Sequence, residues 1–222
     1  MSEQSYPAER QEMVELIAAY ANLASEHTGR SSLDERVMAA MAKVPRHEFV
    51  PAELRNLAYV DSPLPIGCEK TISQPFIVAL MTDLLDIGPE ERVLEVGTGL
   101  GYQAAVLCEL AGQVYSVEII EELASQARER LQAVGYRNLE LRIGDGSQGW
   151  PQHAPFDKIM VTASPELMPP ALIKQLRPGG RMVIPAGLVD SQQLMLVEKD
   201  AAGHTRTKEI LPVRFSSLVT AH

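Results

Sequence analysis

From Arg92 to Pro185 the sequence alternates between short β-rich runs and helical stretches, and this alternation constrains the fold more than any other feature. β-rich runs fall at 93–96, 114–118, 139–143, 158–162 and 181–185. Helical stretches at 102–111 and 121–134 separate the first of them, Gly135 stopping the second, and a further helix is expected at 166–176 before Pro178-Gly179-Gly180. Parallel strands joined by helices need right-handed crossovers, which bury both faces of the sheet. The expected fold is therefore α/β, a doubly wound and mostly parallel sheet. Two last runs, 193–199 and 208–215, flank Asp200, Ala202-Gly203 and His204, which predicts a C-terminal antiparallel hairpin closing the sheet edge.

Ahead of this core the pattern is helical. Met13, Leu16, Ile17, Tyr20 and Ala24 recur at helical spacing, and Ser32 with Glu35 forms a capping-box pattern before Val37, Met38, Met41 and Val44. Pro45 ends that helix. The connector 45–67 reads as an ordered loop, because Phe49, Val50, Leu54, Leu57, Tyr59 and Leu64 interrupt its prolines. Ser73-Gln74-Pro75 opens a helix at 76–85, whose Phe76, Leu80, Met81 and Leu84 form a core stripe. At 222 residues, against the usual ~150 per domain, one domain with an elaboration is expected. Residues 1–75 would be a helical, substrate-side extension and 76–222 the binding core.

Charge and cysteine content narrow the setting. A net charge of −9 argues against nucleic-acid or anionic-membrane partners. Two cysteines, Cys68 and Cys108, do not make a disulfide scaffold and suit a reducing, cytoplasmic compartment. Glu3, Glu9, Glu12 and Glu15 spoil any signal peptide, and no stretch approaches the ~18 apolar residues of a membrane span. The five histidines lack metal-ligand spacing, so no metal site is expected. A monomer is expected. Cys68 is taken as a small apolar filler, and 219–222 as a frayed end.

The chemistry concentrates in Val93-Leu94-Glu95-Val96-Gly97-Thr98-Gly99-Leu100-Gly101-Tyr102, a strand running through a glycine loop into a helix. In doubly wound sheets, ligands bind at the carboxyl ends of the strands. A dinucleotide site wants G-x-G-x-x-G, whereas Gly97, Gly99 and Gly101 follow G-x-G-x-G with Tyr102 in the next slot. Glu95 is a poor neighbour for phosphate and a good one for a sulfonium. Taken alone, the loop is equally compatible with a turn that binds nothing. Two acids shift the balance. Glu118, at the end of the next strand, is placed for ribose hydroxyls, and Asp145 in Gly144-Asp145-Gly146 for an adenine amino group. Three acids ending three strands favour S-adenosylmethionine.

Other segments carry a resemblance. Val44-Pro45-Arg46-His47-Glu48-Phe49-Val50-Pro51, Ala58-Tyr59, Thr71-Ile72-Ser73-Gln74-Pro75, the glycine loop, Gly144-Asp145-Gly146 and Gln175-Leu176-Arg177-Pro178-Gly179-Gly180-Arg181 follow in this order. From about residue 10 to 215 the chain resembles the protein-L-isoaspartate O-methyltransferases. The resemblance implies a Rossmann-like methyltransferase fold. It also implies methyl transfer from S-adenosylmethionine to the α-carboxylate of L-isoaspartyl residues in damaged proteins and peptides. The active-site serine of that family falls on Ser73, with Thr71 and Ile72 as further substrate contacts. Its cofactor contacts fall on Glu95, Gly97, Thr98, Gly99, Gly101, Glu118, Asp145 and Gly146. From spacing alone, Ser73 also reads as a helix N-cap.

Three departures stand out: Lys70 for the usual glutamine, Ser164-Pro165 after the fourth strand, and Ser216-Ser217-Leu218 where the family commonly reads Val-Pro-Leu. All are expected on the substrate side. Rival readings are a relative that methylates an ordinary aspartate of one dedicated peptide, a small-molecule O-methyltransferase, and a non-catalytic module that binds cofactor or damaged protein.

Overall fold

The computed structural model describes residues 6–221. Helices α1 (Tyr6–Leu23), α2 (Ser25–Thr28) and α3 (Glu35–Lys43) lead to a hairpin of β1 (Leu64–Gly67) and β2 (Lys70–Ile72), followed by α4 (Pro75–Leu85). The core runs β3 (Arg92–Val96), α5 (Tyr102–Cys108), β4 (Gln113–Glu118), α6 (Glu121–Val134), β5 (Leu139–Ile143), β6 (Phe156–Val161), α7 (Pro170–Gln175) and β7 (Leu176–Leu188). It ends with β8 (Ser191–Lys199) and β9 (Thr205–Val213).

Seven strands form one sheet in the order β5-β4-β3-β6-β7-β8-β9. β3 to β7 pair in parallel, and β8 and β9 add as antiparallel neighbours. The chain winds from β3 outward through β4 to β5, then returns to the other side of β3 to lay down β6. Such a reversal leaves a crevice at the carboxyl ends of β3 and β6, the usual ligand position in this architecture.

Burial on both faces explains the apolar runs. Val93, Leu94 and Val96 are essentially inaccessible, Val93 packing into one hydrophobic cluster and Leu94 and Val96 into another. Each such side chain stabilises the fold by roughly 1.5–3 kcal/mol relative to exposure. The first cluster also takes in Met13 and Ile17 of α1 and Met41 of α3, so the N-terminal helices cover the same face as α4 and α5.

Several local expectations change. Asp34, not Ser32, caps α3, its Oδ1 accepting the Arg36 N–H at 2.7 Å, because the aspartate stands directly at the helix start. α7 begins only at Pro170, since Pro169-Pro170 can open a helix but not sit inside one. β7 is far longer than the run 181–185, because its pairing with β8 continues from Arg181↔Glu198 to Leu188↔Ser191. The connector holds the β1–β2 hairpin, closed by Cys68-Glu69 with φ of 51° and 56°. Turns with two such residues normally announce themselves as Asn-Gly. Cys68 is exposed at this tip and fills no core space. The tail is held as far as Ala221, whose N–H donates to Asp145 Oδ2 at 3.1 Å; His222 lies outside the described residues. Among the described residues no helix is long and apolar enough to cross a membrane.

Candidate active site

The glycine loop leaves β3 at Gly97, whose φ is +95°. A Cβ there would stand 2.5 Å from Thr162 Oγ1, so neither the conformation nor the space admits a side chain. The threonine, just past β6, donates to the Gly97 carbonyl at 2.5 Å, and its N–H donates to Val96 O. The loop is thus fixed across the crevice between β3 and β6. At its far end Gly101 packs against Leu131 of α6, and so serves helix packing.

A cleft of about 80 Å³ opens above the loop and outward to solvent. Gly97, Gly99, Glu118 and Gly146 line it, with Thr162 and tail residues from Ser216 onward. Glu118 is buried and holds the loop's shape: Oε2 accepts the Gly99 N–H at 2.9 Å and Oε1 the Ile120 N–H at 3.0 Å. A carboxylate has about four acceptor positions, so capacity remains for hydroxyl donors in the cleft.

Other sequence-chosen residues stand elsewhere. Glu95 lies beneath the loop, fully buried, where the period of two along β3 turns it away from the cleft. Ser116 Oγ donates to its Oε2, and Ser116 Oγ in turn lies 2.6 Å from Thr98 Oγ1, so Glu95 reaches the loop through two hydroxyls. Asp145 is a cap: Oδ1 accepts the Ser147 N–H at 2.8 Å while Oδ2 holds the tail. Lys70, Ser216 and Ser217 line the cleft with Gly97 and Glu118, against the expectation that these departures fall on the substrate side only. The reason is that the tail crosses back over the sheet's carboxyl edge, tied to Ser164 by Ser164 N–H to Ser216 O and Leu218 N–H to Ser164 O.

Burial pushes the Glu95 carboxyl up from 4.5 to about 8, the Ser116 hydrogen bond opposing and the Glu118 charge adding. The group is therefore largely neutral in the folded protein at pH 7. Between pH 4.5 and about 8 the folded state holds a proton that the unfolded state has lost, so stability falls as pH rises through that window. Glu95→Gln, which mimics the neutral form, is expected to flatten this dependence. Urea unfolding across the window should show the variant gaining on the native protein by roughly 1 kcal/mol per pH unit. Parallel profiles would mean that Glu95 is ionised in the fold.

Beside the first cleft lies a second, of about 460 Å³, lined by Ser73, Gln74, Ile77, Val213 and Phe215. Thr71, Thr162 and Ser216 line both and mark where they meet. Ser73 is not the cap of α4. Asp61, arriving from the connector, accepts the Phe76 N–H at 2.8 Å and the Gln74 side-chain amide at 2.6 Å. The Ser73 hydroxyl is left with no hydrogen-bond partner among the described residues. Ile72 is buried in the hydrophobic cluster below, whereas Thr71 is exposed to both clefts. Thr162 and Asp61 escaped the sequence reading: a threonine ending a β-rich run looks like any strand residue, and Asp61 acts on residues 13 and 15 positions away.

This arrangement fits a nucleoside amino acid: bare loop backbone where Gly97 excludes a side chain, and a carboxylate at the cleft wall. The family model for protein-L-isoaspartate(D-aspartate) O-methyltransferase matches residues 21–222. A Polaromonas protein-L-isoaspartate O-methyltransferase is 61% identical over 221 residues, spanning 100% of this chain and 94% of the relative. Another, from Syntrophobacter fumaroxidans, is 58% identical over 98% of this chain and 88% of its own. A solved protein-L-isoaspartate O-methyltransferase superposes with a TM-score of 0.80 at 27% identity, over 94% of this chain and 65% of that one. A Plasmodium falciparum protein solved with S-adenosyl-L-homocysteine shares the fold, with a TM-score of 0.79 at 21% identity over 96% and 99% of the two chains. With a family model spanning all but the first twenty residues and relatives this close over most of their length, the chain belongs to the protein-L-isoaspartate(D-aspartate) O-methyltransferase family.

Proposed function

We propose that the two clefts are the halves of one transfer site, the first for S-adenosylmethionine and the second for the damaged peptide, meeting at Thr71, Thr162 and Ser216. The protein is an S-adenosylmethionine-dependent methyltransferase that esterifies the α-carboxylate of L-isoaspartyl residues. The ester then closes to a succinimide whose hydrolysis returns part of the chain to normal aspartate. When bound, S-adenosylmethionine supplies an electrophilic methyl group. The loop backbone at Gly97 and Gly99 and the Glu118 carboxylate would hold the donor, Glu118 taking the ribose hydroxyls. Gly146 in the cleft wall, with Asp145 beside it, would form the adenine end.

The acceptor needs no base. A carboxyl group with a pKa of ~3.9 is already ionised at neutral pH. What the protein supplies is desolvation and alignment, an effect that reaches roughly 7–11 kcal/mol in well-oriented reactions. Ser73 donates its hydroxyl to one carboxylate oxygen and leaves the other to attack, and a neutral donor does this without quenching the nucleophile as a cation would. Thr71 and Ile72 present backbone groups to the peptide from β2. The free Ser73 hydroxyl in the wall of the second cleft, two residues from Thr71 where the clefts meet, is the observation that carries this assignment. Action as a cytoplasmic monomer, without nucleic-acid or membrane partners, completes the reading and accords with the charge of −9.

Three matched peptides carrying isoaspartate, aspartate or asparagine at one position test it. After incubation with S-adenosylmethionine, mass spectrometry should find one added methyl on the isoaspartyl peptide alone. Methylation of the aspartyl peptide instead would point to a dedicated biosynthetic substrate, and no methylation of any would contradict the assignment.

A further inference from the structure

Arg46 is the largest completely buried side chain among the described residues. It sits in the short 3₁₀ turn Arg46–Phe49, and burial lowers its guanidinium only to about 10, so it is charged at neutral pH. No carboxylate of the described residues lies within ion-pair distance of it. Burying a cation without a paired anion costs several kcal/mol, and a methionine of similar volume would pack there more cheaply. The return for that cost lies in where the guanidinium reaches. Nε donates to Ala58 O at 2.8 Å, within the connector, and Nη2 donates to Ser73 O at 2.8 Å. Its Cζ lies 4.7 Å from the ring centroid of Tyr102, the first residue of α5 after the glycine loop.

We propose that Arg46 is a positioning residue for methyl transfer: one rigid guanidinium clamps the Ser73 carbonyl to the helix that carries the glycine loop, fixing the Ser73 hydroxyl relative to the donor site. The inference rests on the assignment of Ser73 made above. A planar fork can span two carbonyls and stack on a ring at once, which a lysine ammonium cannot. Arg46 touches neither substrate nor donor.

A double-mutant cycle of Arg46→Lys and Ser73→Ala separates this role from general stability. Three quantities are read: kcat at saturating substrates, the dissociation constant of S-adenosylhomocysteine by calorimetry, and the urea unfolding midpoint. In the Ser73 background, Arg46→Lys should lower kcat about tenfold with donor affinity unchanged to within about twofold. In the Ser73→Ala background the same change should cost less than about twofold in kcat, although the loss in unfolding midpoint stays the same. An equal kcat loss in both backgrounds, or none in either, would overturn the proposal. Full activity of Ser73→Ala alone would instead overturn the Ser73 assignment, and this one with it. Should the lysine variant not fold, Arg46→Gln takes its place, and failure of both to fold would assign Arg46 to stability only.

Discussion

Replacing Ser73 with alanine is expected to lower kcat roughly 10- to 100-fold while the dissociation constant of S-adenosylhomocysteine stays within about twofold. The magnitude follows from a hydrogen bond to a charged partner, which contributes about 1.5–3 kcal/mol. The selectivity follows from position. Ser73 lines the second cleft, lies outside the lining of the first, and bonds to no loop residue. The variant should also fold normally, because Asp61 rather than Ser73 caps α4. Steady-state kinetics with an isoaspartyl peptide, read beside calorimetry, separates the two effects. A donor affinity that collapses in step with kcat would place Ser73 in the wrong cleft, and an unchanged kcat would remove it from the chemistry.

Glu118→Ala should produce the opposite pattern. Two functions are lost together: acceptors for the ribose diol, and the bonds that hold the Gly99 and Ile120 N–H groups in place. Each charge-assisted bond is worth about 1.5–3 kcal/mol, and each 1.4 kcal/mol is about a tenfold change in affinity. The dissociation constant for the donor should therefore rise roughly 100-fold or more. At donor concentrations that still saturate the variant, kcat should fall far less, because Glu118 makes no contact with the acceptor cleft. A kcat loss as large as that of Ser73→Ala, with donor affinity intact, would contradict this division of labour.

What could be seen in the sequence was whatever depends on local pattern. The β-rich runs were visible because a parallel strand covered on both faces must be apolar throughout, as Val93, Leu94 and Val96 are. The glycine loop was visible because only glycine meets the backbone demand at Gly97. Contacts made across long sequence separations were hidden. Nothing near Ser73 signals that Asp61 would take over its capping role, and nothing near Thr162 shows that it would bond to Gly97, 65 residues earlier. The β1–β2 hairpin was missed because Cys68-Glu69 adopts left-handed geometry without the usual turn residues. The tail's return over the cleft, which places Ser216 and Ser217 beside the loop, is a tertiary event with no local signature. Glu95 was legible as an acid before the loop. Its direction follows from strand alternation, which sets it on the opposite face from Leu94 and Val96.

The central claim is that the cleft above Gly97 is the donor site, and calorimetric titration of S-adenosylhomocysteine into the purified protein tests it most directly. One site per chain is expected, its affinity weakened roughly 100-fold or more in Glu118→Ala and unchanged in Ser73→Ala. Absence of binding to the native protein, or binding indifferent to Glu118 and lost with Ser73, would contradict it.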